Sequence, residues 1–259
     1  MASATKSGIG VPYLRIGKGE PLVFIHGLGE VKEGWQNQFE LADQYELIIP
    51  DLRGHGEYIT GGEISIQSFA QDIIRLLKEL QIESAHICGL SMGGAVAQEI
   101  YRQAPRMCRT LILVSTFHFA PKKLGNLYLE LRKNRFDSSP NKDQIDLASK
   151  ICLYSWNQEN RQQFHQFFKP NPQYFIKSLQ ACLDVNNIGL LPKIKVPTLI
   201  IGGQYDAVLP VWIQYFMHKQ IRHSELIILR NSGHIAKLEA KESFNKTLRS
   251  FLNRYKMAG

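Results

Sequence analysis

A repeated alternation most limits what this chain can fold into: short apolar runs bounded by Gly, Pro or Asp are separated by amphipathic stretches of helical period. Six runs stand out: Leu22 to Ile25, Glu46 to Ile49, Ala85 to Cys88, Thr110 to Ser115, Thr198 to Ile201 and Leu226 to Leu229. Such short runs, apolar or β-branched, are the pattern of strands buried on both faces, and their alternation with helices implies a mostly parallel sheet covered on both sides. Ile64 to Leu80 is one such helix. It sets Ile66, Phe69, Ile73, Ile74, Leu76, Leu77 and Leu80 on one face and leaves Asp72, Arg75, Lys78 and Glu79 for solvent. Val11 to Ile16, ahead of the Lys18-Gly19 turn, is expected as one arm of an antiparallel edge hairpin whose partner before Gly8 is not obvious.

From Phe117 to Leu191 the alternation stops, and the segment reads as several helices separated by Ser138-Ser139-Pro140 and Pro170-Asn171-Pro172. A structureless loop of that length does not fit a compact domain, so a helical insertion is expected. It is rich in aromatics: Phe117, Phe119, Tyr128, Phe136, Tyr154, Trp156, Phe164, Phe167, Phe168, Tyr174 and Phe175. Most are expected to form the insertion's own small core and the rest to line a pocket.

At 259 residues with 44% hydrophobic composition, one α/β unit with an insertion can bury a sizeable core. No apolar run approaches the roughly 18 residues needed to cross a bilayer. The N-terminal MASATKSGIG has no apolar segment of the secretory kind, so no membrane association and a cytoplasmic location are expected. Cys88, Cys108, Cys152 and Cys182 form neither a CxxC pair nor a metal spacing with His, and reduced thiols are expected. The net charge of +8 is spread along the chain. Its densest group, Lys122, Lys123, Arg132, Lys133 and Arg135, lacks the aromatic interleaving of a single-strand binding platform, so no nucleic-acid partner is expected.

Chemistry concentrates at Gly89-Leu90-Ser91-Met92-Gly93, a GxSxG pattern lying between a strand and a helix. The turn is so tight that side chains two residues either side of the serine would collide, and glycine at 89 and 93 removes them. Ser91 then stands alone at a helix N-terminus, where backbone N–H groups favour an oxyanion. A serine hydroxyl needs a base and an orienting acid. Asp206 lies in the loop after the Thr198 to Ile201 run, and His234, in Asn231-Ser232-Gly233-His234, follows the next run. Ser91, Asp206 and His234 therefore reach the same sheet edge in the order serine, acid, histidine.

These segments resemble the α/β-hydrolase fold superfamily, in its serine esterase, enol-lactonase and carboxyl-methylesterase branch, from about Gly8 to Phe251. His26-Gly27-Leu28-Gly29 resembles the family's oxyanion loop, and Asp51-Leu52-Arg53-Gly54-His55-Gly56 resembles its D-x-R-G-x-G turn; Gly202 to Pro210, and Gly233-His234 with Glu239 and Phe244, resemble its acid and histidine regions. The resemblance implies a core domain of residues 1–116 and 192–259, and a helical lid of residues 117–191 inserted after the sixth strand. It implies an oxyanion hole from the N–H groups of Leu28 and Met92, a loop-organising role for His26 and a structural one for Asp51, the main rival acid. The expected substrate-binding residues are His26, Gly27, Phe117, Trp156 and Val208. His118, His165, His218 and His223 have no motif around them.

The expected function is hydrolysis of a carboxylic ester, lactone or related acyl bond of a small to medium substrate through an acyl-enzyme, without metal or organic cofactor, by a monomer or homodimer. Ten Lys or Arg against six Asp or Glu between Phe117 and Leu191 suit a carboxylated substrate or an acidic carrier protein. HGLG in place of HGGG points away from the hormone-sensitive-lipase branch, and a serine nucleophile argues against haloalkane dehalogenases and epoxide hydrolases. Two alternatives stand beside this reading: a ligand-sensing or signalling protein with slow turnover, and a carbon–carbon bond hydrolase or thioesterase on the same triad. A structural protein is disfavoured because no triad member is missing.

Overall fold

The computed structural model of the protein describes residues 3–138 and 141–256; the side chains of 3, 4, 123, 124, 128, 135–138 and 141 lie outside that description. The six apolar runs become six parallel strands: β3 (Glu20–Ile25), β4 (Tyr45–Pro50), β5 (Ala85–Leu90), β6 (Cys108–Val114), β7 (Thr198–Gly203) and β8 (Ser224–Leu229). Two strands precede them. β2 (Pro12–Ile16) runs antiparallel to β4, and its missing hairpin partner is β1 (Ser3–Lys6), paired Ser3 to Arg15 through Lys6 to Pro12. The strand order is β1-β2-β4-β3-β5-β6-β7-β8, so β5 is central and all six parallel strands end at one edge.

Helices α1 (Ile66–Glu79) and α2 (Met92–Gln103) pack together on one face and α9 (Lys241–Asn253) lies on the other, so that apolar clusters fill both sides of the sheet. Helix α1 starts at a reciprocal cap, in which the Ser65 and Ser68 hydroxyls accept from each other's backbone N–H at 3.0 Å. Asp72 departs from its expected exposure. It is buried and holds the Arg53 guanidinium at 2.8 and 3.0 Å, tying α1 to the turn after β4.

Between β6 and β7 lie four helices, α3 (Lys122–Ser138), α4 (Asn141–Cys152), α5 (Gln158–Phe167) and α6 (Pro172–Leu183). Asn171 caps α6 with Pro172 as its first residue. The expected break at Ser138-Ser139-Pro140 falls largely outside the described residues, as do the side chains of Tyr128 and Phe136. After β7 come α7 (Val211–Gln220) and, past β8, the short α8 (Ala236–Glu239), separated from α9 at Ala240. Among the described residues no helix is long and apolar enough to cross a membrane, and all four cysteines are free thiols.

Candidate active site

Ser91 follows β5 directly and has φ 54° and ψ −117°, a backbone conformation costly for any residue with a Cβ. Its N–H donates to the Val114 carbonyl at 2.9 Å and its carbonyl accepts from Thr116 Oγ1 at 2.6 Å, so bonds from β6 and beyond hold the turn. Space decides the glycines around it. A Cβ on Gly89 would run into the Gly93 carbonyl, and one on Gly93 into the carbonyls of Ile25 and His26. The elbow is possible only because both positions lack a side chain.

Asp206 lies three residues beyond β7 and is buried. Its Oδ1 accepts from the N–H groups of Val208 and Leu209 at 2.9 and 2.8 Å, while Oδ2 accepts from His234 Nδ1 at 2.8 Å. The two loops meet closely because Gly203 has no Cβ; one there would strike the Gly233 carbonyl. His234 is itself anchored from outside the sheet, its backbone N–H donating to the Cys152 carbonyl at the end of α4 at 2.8 Å. Glu239 completes the anchor, accepting from Gly233 N–H at 2.7 Å and from Ser155 N–H at 2.6 Å.

Burial works against the His234 imidazolium, but the Asp206 carboxylate bonded to it, with a further contribution from Glu30, more than offsets this, and its pKa is raised above 6.5. The Nδ1–Asp206 bond leaves Nε2 as the free basic nitrogen. Ser91 and His234 line one cavity of about 390 Å³, and among the described residues no hydrogen bond joins them. In an enzyme without substrate that link is commonly long, and it tightens when substrate binds. The amides of Leu28 and Met92, beside Ser91, donate to no other group among the described residues.

Of the five expected substrate-binding residues, Gly27 and Val208 line this cavity, as does Leu28 of the expected oxyanion hole, and the other three do not. His26 is fully buried beneath the loop. Its Nε2 accepts from Leu52 N–H at 2.9 Å and its Nδ1 donates to the Gly27 carbonyl at 2.8 Å. Burial lowers its pKa to about 3, so it is a neutral strut between two loops rather than a ligand to substrate. Phe117 packs into the core against α2, and Trp156 is exposed, with Nε1 donating to the Leu153 carbonyl at 3.2 Å. Asp51, the rival acid, is taken up by Lys32, whose N–H and Nζ both approach to 2.9 Å, and by Glu57 N–H at 3.0 Å, and is not among the residues lining the cavity with Ser91.

The wall is completed by residues that sequence reasoning did not single out for the pocket. Phe164, Phe168 and Phe175 serve as the helices' own core and as cavity lining at once, with Phe164 stacked on Phe168 at 4.9 Å. Arg132, counted among surface cations, is buried and lines the cavity with its guanidinium 5.2 Å from the Phe175 ring centroid. Glu30 also lines it, and its one sequence signal is its place directly after His26-Gly27-Leu28-Gly29. Among the described residues no cluster of His, Cys, Asp or Glu could hold a metal ion.

Comparison with known proteins bears on the family and the fold. The family profile described as alpha/beta hydrolase fold matches residues 20–241. The AB hydrolase superfamily protein YisY of Bacillus subtilis (strain 168) is 31% identical over 250 residues, covering 92% of this chain and 93% of its own. The 3-oxoadipate enol-lactonase 2 of Acinetobacter baylyi is 26% identical over 261 residues, covering 97% of this chain and 96% of its own. Among solved structures, a thermophilic esterase from Thermogutta terrifontis superposes with a TM-score of 0.88 over 99% of both chains at 23% identity, a likeness of fold.

Proposed function

The chain belongs to the alpha/beta hydrolase fold family, and we propose that within it this protein is a serine hydrolase cleaving a carboxylic ester, lactone or related acyl bond of a small to medium substrate. One observation carries the reading. The imidazole of His234 is held through Nδ1 by Asp206 at 2.8 Å, which leaves Nε2 as the base in the cavity that Ser91 enters from a strained elbow. Nothing in a merely structural loop requires that combination.

The chemistry follows from the placement. His234 Nε2 takes the proton of Ser91 as Oγ attacks the acyl carbonyl, and Asp206 fixes the tautomer and stabilises the imidazolium. The carbonyl oxygen becomes an oxyanion, and the amides of Leu28 and Met92 are the donors proposed to hold it; each such donor is worth about 10²- to 10³-fold in rate. His234 then returns the proton to the leaving group, and an acyl-enzyme remains. Water, deprotonated by the same nitrogen, attacks the ester carbon and releases the acid and free Ser91.

The four helices between β6 and β7 are proposed to act as a lid, since six residues of the cavity wall come from them, Arg132, Ala148, Ile151, Cys152, Phe164 and Phe175, and a seventh, Phe168, caps α5. Arg132 in a largely apolar wall supports a substrate with a carboxylate or another electron-rich group.

The test is labelling and turnover together. A fluorophosphonate is expected to modify Ser91 alone, and p-nitrophenyl esters to turn over repeatedly in wild type and not in Ser91→Ala. Modification of a different peptide, or a single burst without turnover, removes the proposal.

A further inference from the structure

Glu30 is 2% exposed, and its two carboxylate oxygens are treated very differently. Oε2 accepts from Gly27 N–H at 3.2 Å and from Lys237 Nζ at 3.1 Å. Oε1 is buried and has no partner among the described residues, although the side chain forms part of the cavity wall. A buried carboxylate oxygen left unpaired costs more than a made hydrogen bond returns, so Oε1 keeps acceptor capacity that a bound group can satisfy.

Its position is beside the reacting centre. The Glu30 N–H donates back to the Gly27 carbonyl at 3.2 Å, and the carboxylate folds over onto the Gly27 N–H, so residues 27–30 form one tight turn. Gly27 lies against the nucleophile, close enough that an added Cβ would sit 3.6 Å from the Ser91 Cβ. Leu28, whose amide faces the oxyanion position in the serine-hydrolase reading, belongs to the same turn. Ser91 and Glu30 line the same cavity, so a group attached to a carbonyl bound at Ser91 shares that space with Glu30.

Charge balance narrows the class of group that Oε1 can take. Lys237 is fully buried, bonded to Glu30 and to the Gly34 carbonyl at 2.5 Å, with its Nζ 4.3 Å from the Trp35 ring centroid. It already cancels the Glu30 charge. A substrate ammonium would leave net positive charge in a dry wall, and a substrate carboxylate would face an oxygen that can only accept; a neutral donor has neither cost.

We propose that Glu30 is a specificity-determining residue: Oε1 accepts a hydrogen bond from a neutral hydroxyl or N–H carried within a few bonds of the scissile carbonyl, so that the site selects hydroxylated or acylamino substrates over plain alkyl ones. The inference rests on the serine-hydrolase reading and adds the substrate class to it. Sites built to bond a substrate hydroxyl reject the analogue lacking it far more strongly than apolar pockets reject a missing methylene.

The experiment uses two matched series. Within the acyl group, p-nitrophenyl butanoate is compared with its 2-hydroxy, 3-hydroxy and 2-acetylamino counterparts; within the leaving group, ethyl butanoate is compared with 2-hydroxyethyl butanoate. Each kcat/KM is normalised to the hydroxide-catalysed rate. Wild type is expected to favour a donor-bearing member of at least one series by about tenfold or more. The preference is expected to fall to within about twofold in the double variant Glu30→Met with Lys237→Met, which removes the acceptor without leaving a lone buried charge. Glu30→Asp, which keeps the charge and withdraws the carboxylate by one methylene, serves the same purpose if the double variant does not fold. Turnover without preference in both wild-type series, or a preference that survives both changes, overturns the assignment of Glu30 alone. Absence of turnover with every ester overturns the serine-hydrolase reading with it.

Discussion

The strand-end loops and the helices between β6 and β7 share one cavity but hold their side chains there by different means. On the loop side, positions are set by the backbone: Ser91 by bonds to Val114 and Thr116, Asp206 by the amides of Val208 and Leu209, His234 by Asp206 and by the Cys152 carbonyl. On the helix side, Phe164, Phe168 and Phe175 are set by packing, ring against ring. The difference teaches where this molecule tolerates change. A loop atom displaced by an added Cβ meets a carbonyl, whereas a helix side chain that is shortened leaves a gap its neighbours can partly fill.

Substitutions on the loop side are therefore expected to act on rate and those on the helix side on selectivity. Ser91→Ala should lose about 10⁴- to 10⁶-fold in kcat with its fold intact by circular dichroism, and adding His234→Ala should cost little more; additive losses would show that the two do not act as a unit. Asp206→Asn should lower kcat by about 10³- to 10⁴-fold by favouring the wrong imidazole tautomer, again without unfolding. An unaffected rate would transfer the acid to another carboxylate and break the loop side of the comparison.

A pH profile of kcat/KM sharpens it further. His234 must be unprotonated to act as base and its pKa is raised, so activity is expected to fall as pH drops through a value above 6.5. Because Glu30 contributes to that rise, Glu30→Gln, which removes the carboxylate charge and keeps the side-chain length, should move the acidic limb to lower pH. An unmoved limb would show that the carboxylate is not felt at the imidazole. The smallest effect is expected on the helix side, where Ile151→Ala should raise KM for medium-chain esters about threefold while kcat changes less. A loss in kcat as deep as that of Asp206→Asn would mean that the two sides do not divide the work in this way.

The same division explains what is legible in the sequence. The inner parallel strands announce themselves because burial on both faces demands unbroken apolar runs, whereas the edge strand β8 is only partly buried, and the elbow announces itself because only glycine fits at 89 and 93. Asp206 and His234 are legible because each follows a recognisable strand by a short loop, so their distance from Ser91 is nearly fixed by the sheet. β1 is not: Ser3–Lys6 is a polar edge strand defined only by pairing with β2, and no apolar pattern is needed there. Nor is the helix-side wall, since which face of α3 or α5 meets the sheet edge depends on crossing angles that periodicity does not contain. Hence Phe117 and Trp156 point elsewhere while Arg132, Phe164 and Phe168 line the cavity. His26 illustrates a third case, in which residue type suggests chemistry but two hydrogen bonds consume both ring nitrogens.

One bond between the two sides reaches into protein engineering. The His234 amide takes its acceptor from Cys152, and Gly233 must stay bare because a Cβ there would press on that carbonyl and on Tyr154 N–H. A chimera that grafts the helices of a relative onto this sheet therefore inherits a mismatch at His234, the proposed general base, unless the donor sequence delivers a carbonyl to the same spot. Cutting after Trp156 and leaving α4 with its native host would transplant α5 and α6 without disturbing that contact.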